Sequence, residues 1–251
     1  MTEPAQEKVD FGYRRIPAGD KRRMVARVFD SVAGRYDLMN DLMSAGMHRL
    51  WKRYFVELAN IRPGMRVLDL ASGTGDIASL AAGRLDDDGL LVATDINGAM
   101  LSRGRDRLIA EGVTERIAFT LADAEDPPFP DRSFDRITMA FGLRNVTRKE
   151  RALASMRALL KPGGSAHVLE FSALRLKALQ PAYDFYSLNV LPRMGKLITS
   201  DADSYRYLAE SIRRHPDQET LKSMMEQAGF ERVTYHNLSG GIVAIHSGWR
   251  I

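Results

Sequence analysis

With 251 residues, 45% of them hydrophobic and 27% charged, the chain can bury one substantial core, and one domain with elaborations fits that length better than two. A formal charge of +4 suits a nucleic-acid or anionic membrane surface, yet so mild an excess is ordinary among enzymes. The lack of cysteine removes disulfide scaffolds, thiolate zinc sites and cysteine nucleophiles together, and fits a reducing cytosol.

The opening residues "MTEPAQEKVDFGYRR" lack the apolar core of a signal segment and read as a loose polar arm or one laid over the body. No apolar run approaches bilayer length, so membrane contact is expected to be peripheral. From about Lys21, Val25, Val28, Phe29 and Val32 recur at helical spacing, and a second helix follows in "MHRLWKRYFVELANI". These two helices serve either as core or as part of a lid. After "RPG" a strand-helix alternation begins: "MRVLDLAS", "GLLVATDI", "RIAFTLADA", "FDRITMAFG" and "SAHVLEFS" read as strands. Between them "DIASLAAGRL", "GAMLSRGRDRLIAEG" and "RKERALASMRALLKPGG" read as helices, the last ending at a Pro-Gly stop. Strands followed by helices imply right-handed crossovers, hence a doubly wound, mostly parallel Rossmann-like α/β sheet. Past Ala173 the pattern loosens before the helix "DQETLKSMMEQAGF" and two terminal strands joined by a Gly pair. The expected division is one domain over 1–251, with an amino-terminal arm and helices (1–60), a cofactor-binding core (61–172), a helical lid insertion (173–214) and a final helix with terminal strands (215–251).

The stretch "VLDLASGTGDIASLA" is the chemical centre of the sequence. Gly73 and Gly75 sit where a strand meets a helix, so backbone can approach a ligand closely and the helix amino terminus can face it. Asp95 ends the next strand, about twenty residues on, where a carboxylate can accept from two ribose hydroxyls. A dinucleotide site wants a third glycine, for which Ala78 is only a loose substitute. Pyrophosphate is repelled by nearby carboxylates, whereas a sulfonium with an α-amino group welcomes them, so Asp69 and Asp76 favour S-adenosylmethionine over NAD. In "LADAEDPPFPDRSFD", Asp123 and the Ala124 N–H are placed to meet adenine. Asp123 capping a turn is the plainer alternative. No metal ligand set is expected.

Three further stretches, "VFDSVAGRYDLMNDLMSAGMHRLWKR", "FGLRNV" and "DADSYRYLAESIRRHPDQETLK", resemble signatures of the ubiquinone/menaquinone biosynthesis C-methyltransferases, from about Phe11 to the carboxy terminus. The resemblance implies a class I methyltransferase fold and methyl transfer from S-adenosylmethionine, leaving S-adenosylhomocysteine. The implied acceptor is a ring carbon of a polyprenylated benzoquinol or of demethylmenaquinol. It also implies cofactor contacts at Thr74, Asp95, Asp123 and Ala124, alongside Gly73 and Gly75. Where relatives often carry serine, this chain has Ala140, so one side-chain hydrogen bond to the cofactor is missing.

Carbon methylation of a hydroquinone needs a phenolate, in-line geometry and exclusion of water. Arg144 is the expected catalytic residue, stabilising the phenolate or orienting a water; its alternative is a structural ion pair. Asn145 either binds a quinol oxygen or caps the following helix, Tyr205 is a second substrate contact, and His215 a candidate proton carrier. Met39, Leu42, Met43, Met47, Trp51, Phe185, Tyr186, Leu188, Val190 and Leu191 are expected either to form an apolar channel for the prenyl tail or simply to be core. Arg193 and Lys196 are placed to sit against anionic lipid. The expected location is cytoplasmic, peripheral at the inner face of the membrane, with a homo-oligomer or quinone-biosynthesis complex open and no nucleic-acid partner. Rival readings are a methyltransferase for another small apolar acceptor, an RNA methyltransferase, and a quinone-pathway protein that binds cofactor without turnover.

Overall fold

The computed structural model describes residues 7–32, 40–41, 44, 46–176, 180–185 and 202–251. Nine strands lie among them: β1 (Lys8–Phe11), β2 (Arg14–Pro17), β3 (Arg66–Leu70), β4 (Leu90–Asp95), β5 (Ile117–Leu121), β6 (Phe134–Ala140), β7 (Leu160–Phe171), β8 (Glu231–Leu238) and β9 (Val243–Trp249). The helices are α1 (Ala18–Val32), α2 (His48–Ala59), α3 (Asp76–Ala82), α4 (Gly98–Ala110), α5 (Lys149–Leu159), α6 (Gln180–Phe185), α7 (Ala202–Arg214) and α8 (Gln218–Gln227).

Seven strands form one sheet in the order β5-β4-β3-β6-β7-β9-β8. The pairs from β5 to β7 are parallel, and β9 pairs antiparallel with both β7 and β8. This is the doubly wound, mostly parallel sheet expected from the strand-helix alternation. Side-chain alternation along β3 divides the interior: Leu68 and Leu70 enter a cluster with Leu153, Met156, Leu221 and Met225, whereas Val67 faces Phe55, Val56, Ile77 and Leu108 on the other side. Asp69 therefore lies on the α2/α3 side, in an otherwise apolar layer. The chain reverses sheet direction between β3 and β6, and the crevice at the carboxyl ends of these strands is where such sheets bind ligands.

Of the two readings of the opening residues, the arm laid over the body is the one seen: residues 8–17 form a hairpin, in register from Lys8 opposite Pro17 to Phe11 opposite Arg14. It docks on α7: the Phe11 ring stacks on Tyr207 at 4.2 Å, and the Tyr13 N–H donates to Glu210 at 3.0 Å. With Val25 and Val28 of α1 these rings make a third, small core. One expectation changes: α5 ends at Leu159, and Lys161-Pro162-Gly163-Gly164 runs extended as the start of β7. Proline disfavours a helical residue before it, and the helix stops three residues ahead of Pro162.

Candidate active site

A cleft of about 840 Å³ opens at the carboxyl ends of β3, β4 and β6. Its floor and walls include Gly73, Asp95, Asp123, Ala124, Ala140 and Asn145, and α1 covers it with Arg22, Val25 and Phe29. A smaller cavity of about 350 Å³ shares the wall formed by Ala71, Gly73, Ala140 and Phe141, and is lined further by Lys52, Asp69, Thr74 and Asp76.

The backbone at this junction is wound tightly. Ala71 and Phe141, which follow β3 and β6, take φ of 53° and 55°, a region uncommon for non-glycine residues. Gly142 lets these strand ends approach: a Cβ there would lie 2.6 Å from that of Ala71. Gly75 begins α3 at φ 82° with no side-chain cap, leaving that helix end to backbone N–H groups. The close packing that dinucleotide sites obtain from a third glycine is achieved here from α4, whose Gly104 lies so near the turn that an added Cβ would stand 2.9 Å from the Gly73 carbonyl oxygen. Gly104→Ala is therefore expected to displace the turn at about 1–3 kcal/mol of overpacking and weaken cofactor binding roughly tenfold. Calorimetric titration checks this, and an unchanged affinity would show that the turn tolerates the added methyl.

Asp95 ends β4 in a buried position, and its two oxygens accept from the Gly73 N–H at 2.9 Å and the Asn97 N–H at 2.8 Å. Burial raises its pKa, against which these backbone bonds work. Asp123 accepts from the Glu125 N–H at 3.0 Å and forms an ion pair with Arg22 of the covering helix. α1 is tied down a second time by Asn97 Nδ2 donating to Asp30 at 2.8 Å. Thr74 and Ala124 are buried in the walls of the smaller and larger cavities.

The smaller cavity holds two residues whose charge matters. Asp69 accepts from the Thr138 hydroxyl at 2.7 Å through Oδ1, while its buried Oδ2 has no partner among the described residues. Burial pushes its pKa up to about 7. Burial pushes Asp76 the same way, but Lys52 and Arg107 overcome it and hold Asp76 at about 2. Lys52 bonds one Asp76 oxygen and Arg107 Nη1 the other at 2.6 Å, and Arg107 Nε pairs in turn with Glu111 at 3.1 Å, so the two cations are matched by two carboxylates. The sequence reading missed Lys52. Its signal was a buried lysine within an amphipathic helix 24 residues before Asp76.

Arg144 and Asn145 lie in a 3₁₀ turn, Leu143–Asn145. Asn145 lines the cleft and does not cap α5, whose amino terminus has no side-chain cap. Arg144 does not line the cleft: its side chain is 4% exposed and pairs at 2.9 Å with Glu170, itself 1% exposed. Glu170 also accepts from the Arg144 N–H at 3.1 Å and the Phe171 N–H at 2.9 Å. Arg144 further donates to the Phe141 carbonyl and lies over the Phe141 and Phe171 rings at 6.0 and 5.5 Å. The ion pair weighed as its alternative is thus present, and it ties together the ends of β6 and β7.

Tyr205 lies on α7 with its side chain outside the described residues, whereas Tyr207 reaches the site, donating to Asn145 Oδ1 at 3.0 Å. His215 is buried with neither ring nitrogen hydrogen-bonded among the described residues, and burial, with Lys149, Arg144 and His246 beside it, keeps it neutral; it lines neither cavity. Of the apolar set, Met39, Leu42, Met43, Tyr186, Leu188, Val190 and Leu191 lie outside the described residues, as do Arg193 and Lys196. Trp51 is core, packed edge-on against Phe171 and donating to Ser239 at 3.0 Å, while Met47 and Phe185 are exposed; none of the three lines either cavity. Among the described residues no cluster of three or more His, Asp or Glu is placed to hold a metal.

The sheet order, the glycine turn and the acid ending the second sheet strand define an α/β methyltransferase fold. It is shared with a solved Thermotoga maritima structure described as an SAM-dependent methyltransferase and possible histamine N-methyltransferase, at TM-score 0.62 and 19% identity over 90% of this chain and 99% of that one. The chain belongs to the ubiE/COQ5 methyltransferase family, whose model matches residues 17–250, and is a methyltransferase. It is 57% identical over 97% of its length to the ubiquinone/menaquinone biosynthesis C-methyltransferase UbiE of Pseudomonas paraeruginosa, covering 95% of that protein. It is 54% identical to the UbiE of Idiomarina loihiensis, with both chains covered in full.

Proposed function

We propose that the chain methylates a ring carbon of a polyprenylated hydroquinone, converting demethylmenaquinol to menaquinol, 2-methoxy-6-polyprenyl-1,4-benzoquinol to its 5-methyl product, or both. It is an S-adenosylmethionine-dependent C-methyltransferase of ubiquinone/menaquinone biosynthesis. The observation that carries the acceptor site is the meeting of Asp95 and Asp123 with Asn145 in one cleft.

The residues present fit the cofactor. Asp95 takes the ribose hydroxyls, and Asp123 with the Ala124 N–H takes adenine once the Arg22 pair opens. Gly73, Thr74 and Gly75 wrap the methionine end, where the unpaired Asp69 Oδ2 suits an ammonium and Lys52, which lines the same cavity, suits a carboxylate. When bound, S-adenosylmethionine supplies an electrophilic methyl on a sulfonium. Ala140 lines both cavities, and its backbone carries whatever contact the position makes. Asn145 meets a quinol oxygen. Arg144, clamped by Glu170, holds the turn carrying Asn145; Tyr205 contacts substrate from α7. A prenylated acceptor dissolves in lipid, which places the working enzyme at the inner membrane face, and no helix among the described residues is long and apolar enough to cross a bilayer.

The charge state of Asp69 is testable in the apo-protein. Its folded pKa, about 7, lies above the unfolded value of about 3.9, so the native state favours the protonated acid. The stability this gives is fully present below pH 4 and is lost as pH rises through 7, up to about 4 kcal/mol in the limit. Thermal melts of wild type and Asp69→Asn should diverge over that window, the asparagine variant gaining relative stability toward pH 8. A constant difference would contradict the raised pKa.

The acceptor is tested by transfer of labelled methyl to reduced short-chain demethylmenaquinol or methoxy-benzoquinol. Transfer by wild type and its loss in Asp95→Ala support the reading, whereas Arg144→Ala, which unpairs the buried Glu170, should lose transfer and melting temperature together. Cofactor binding without transfer to either quinol overturns it.

A further inference from the structure

Tyr207 is buried at 4% exposure beneath the hairpin, its ring stacked on Phe11 with an interplanar angle of 20°. It belongs to the small core that joins α1, the hairpin and α7, well apart in sequence from the Leu143–Asn145 turn. Its hydroxyl nevertheless reaches that turn and donates to Asn145 Oδ1 at 3.0 Å. A side-chain amide has one accepting and one donating end. With Oδ1 taken, the Nδ2 end is what Asn145 has left to offer the cleft it lines, and Nδ2 has no partner among the described residues. Burial keeps the phenol protonated, with Arg144 and Glu170 the charged groups acting on it, so its O–H is available to donate to Oδ1, the orientation in which the pair is found.

We propose that Tyr207 is a positioning residue for methyl transfer: by holding Asn145 Oδ1 it presents the Nδ2 hydrogens to the oxygen of the acceptor ring on which negative charge develops. This rests on the quinol reading of the cleft. A hydroquinone becomes nucleophilic at carbon as its phenol loses a proton, and a fixed donor at that oxygen lowers the barrier, whereas an amide free to flip would half the time present a lone pair to the anion. The accepting end would repel the charge that the donating end stabilises.

The test is a double-mutant cycle with Tyr207→Phe and Asn145→Ala, read as kcat, KM and melting temperature. Tyr207→Phe removes only the hydroxyl and keeps the ring stack, so kcat should fall roughly tenfold with little change in KM for the cofactor. In the Asn145→Ala background the same change should cost no further activity. A merely structural tyrosine would instead lower the melting temperature and add its effect to that of Asn145→Ala. A second reading does not depend on turnover: 4-nitrophenol titrated by absorbance in the S-adenosylhomocysteine complex should ionise about one pH unit higher in Tyr207→Phe than in wild type. Additive losses of activity, or equal pKa values for the bound probe, overturn the proposal. Failure of wild type to methylate either quinol overturns the acceptor assignment, and the probe titration then still decides the role of Tyr207.

Discussion

Asp95→Ala is expected to weaken S-adenosylmethionine binding at least roughly 100-fold and to remove methyl transfer at cofactor concentrations that saturate the wild type. The carboxylate has two tasks in the same place. It holds the Gly73 and Asn97 N–H groups at 2.9 and 2.8 Å, and so sets the distance between the glycine turn after β3 and the start of α4. It is also the group proposed to accept the ribose hydroxyls. Hydrogen bonds to a charged acceptor contribute about 1.5–3 kcal/mol each, so loss of the ribose contacts alone accounts for the expected change. Asp95→Asn keeps the shape but turns one acceptor into a donor facing a backbone N–H, and should recover little. Titration calorimetry measures both variants. An Asp95→Ala affinity within roughly threefold of wild type would remove Asp95 from the cofactor site.

Glu170→Ala should be among the most destabilising single changes in the chain. It leaves the Arg144 guanidinium buried without its counter-charge, and also strips acceptors from the Arg144 and Phe171 N–H groups. Breaking a buried pair from one side costs about 3–5 kcal/mol. For a chain of this size that corresponds to a fall in melting temperature of roughly 10 °C. Glu170→Gln keeps an acceptor and the side-chain volume, so it should lose less. Because Arg144 and Glu170 bind the ends of β6 and β7 beside the turn carrying Asn145, transfer should fall in both variants. Thermal denaturation gives the answer, and a Glu170→Ala melting point within about 2 °C of wild type would mean that the pair is dispensable to the fold.

The sequence was most readable where chemistry is local. From Arg66 to Leu159 each strand and helix follows from its own periodicity and from the glycines and proline that interrupt it, and the turn at Gly73 and Gly75 stands where the alternation placed it. Thr74, Asp95, Asp123, Ala124 and Asn145 do line the two cavities. What local pattern could not convey were partners brought together by packing. Lys52 meets Asp76 across the gap between two helices, and Gly104 supplies from α4 the close approach sought at Ala78. Tyr207 shows the limit most sharply. It meets Asn145 because α7 packs on the hairpin and α1, and nothing in the local pattern of the helix conveys that orientation. For Arg144 the choice between a phenolate contact and a structural ion pair was equally beyond local pattern, because its partner Glu170 lies on a strand 26 residues later.

The central claim is methylation of a quinol at carbon, and the product itself tests it most directly. Purified protein, S-adenosylmethionine carrying a ¹³C methyl group, and reduced short-chain demethylmenaquinol should yield a product whose labelled carbon is bonded to the ring, identified by carbon NMR. A labelled methoxy carbon, or a quinol recovered without label while the cofactor binds, would contradict the account.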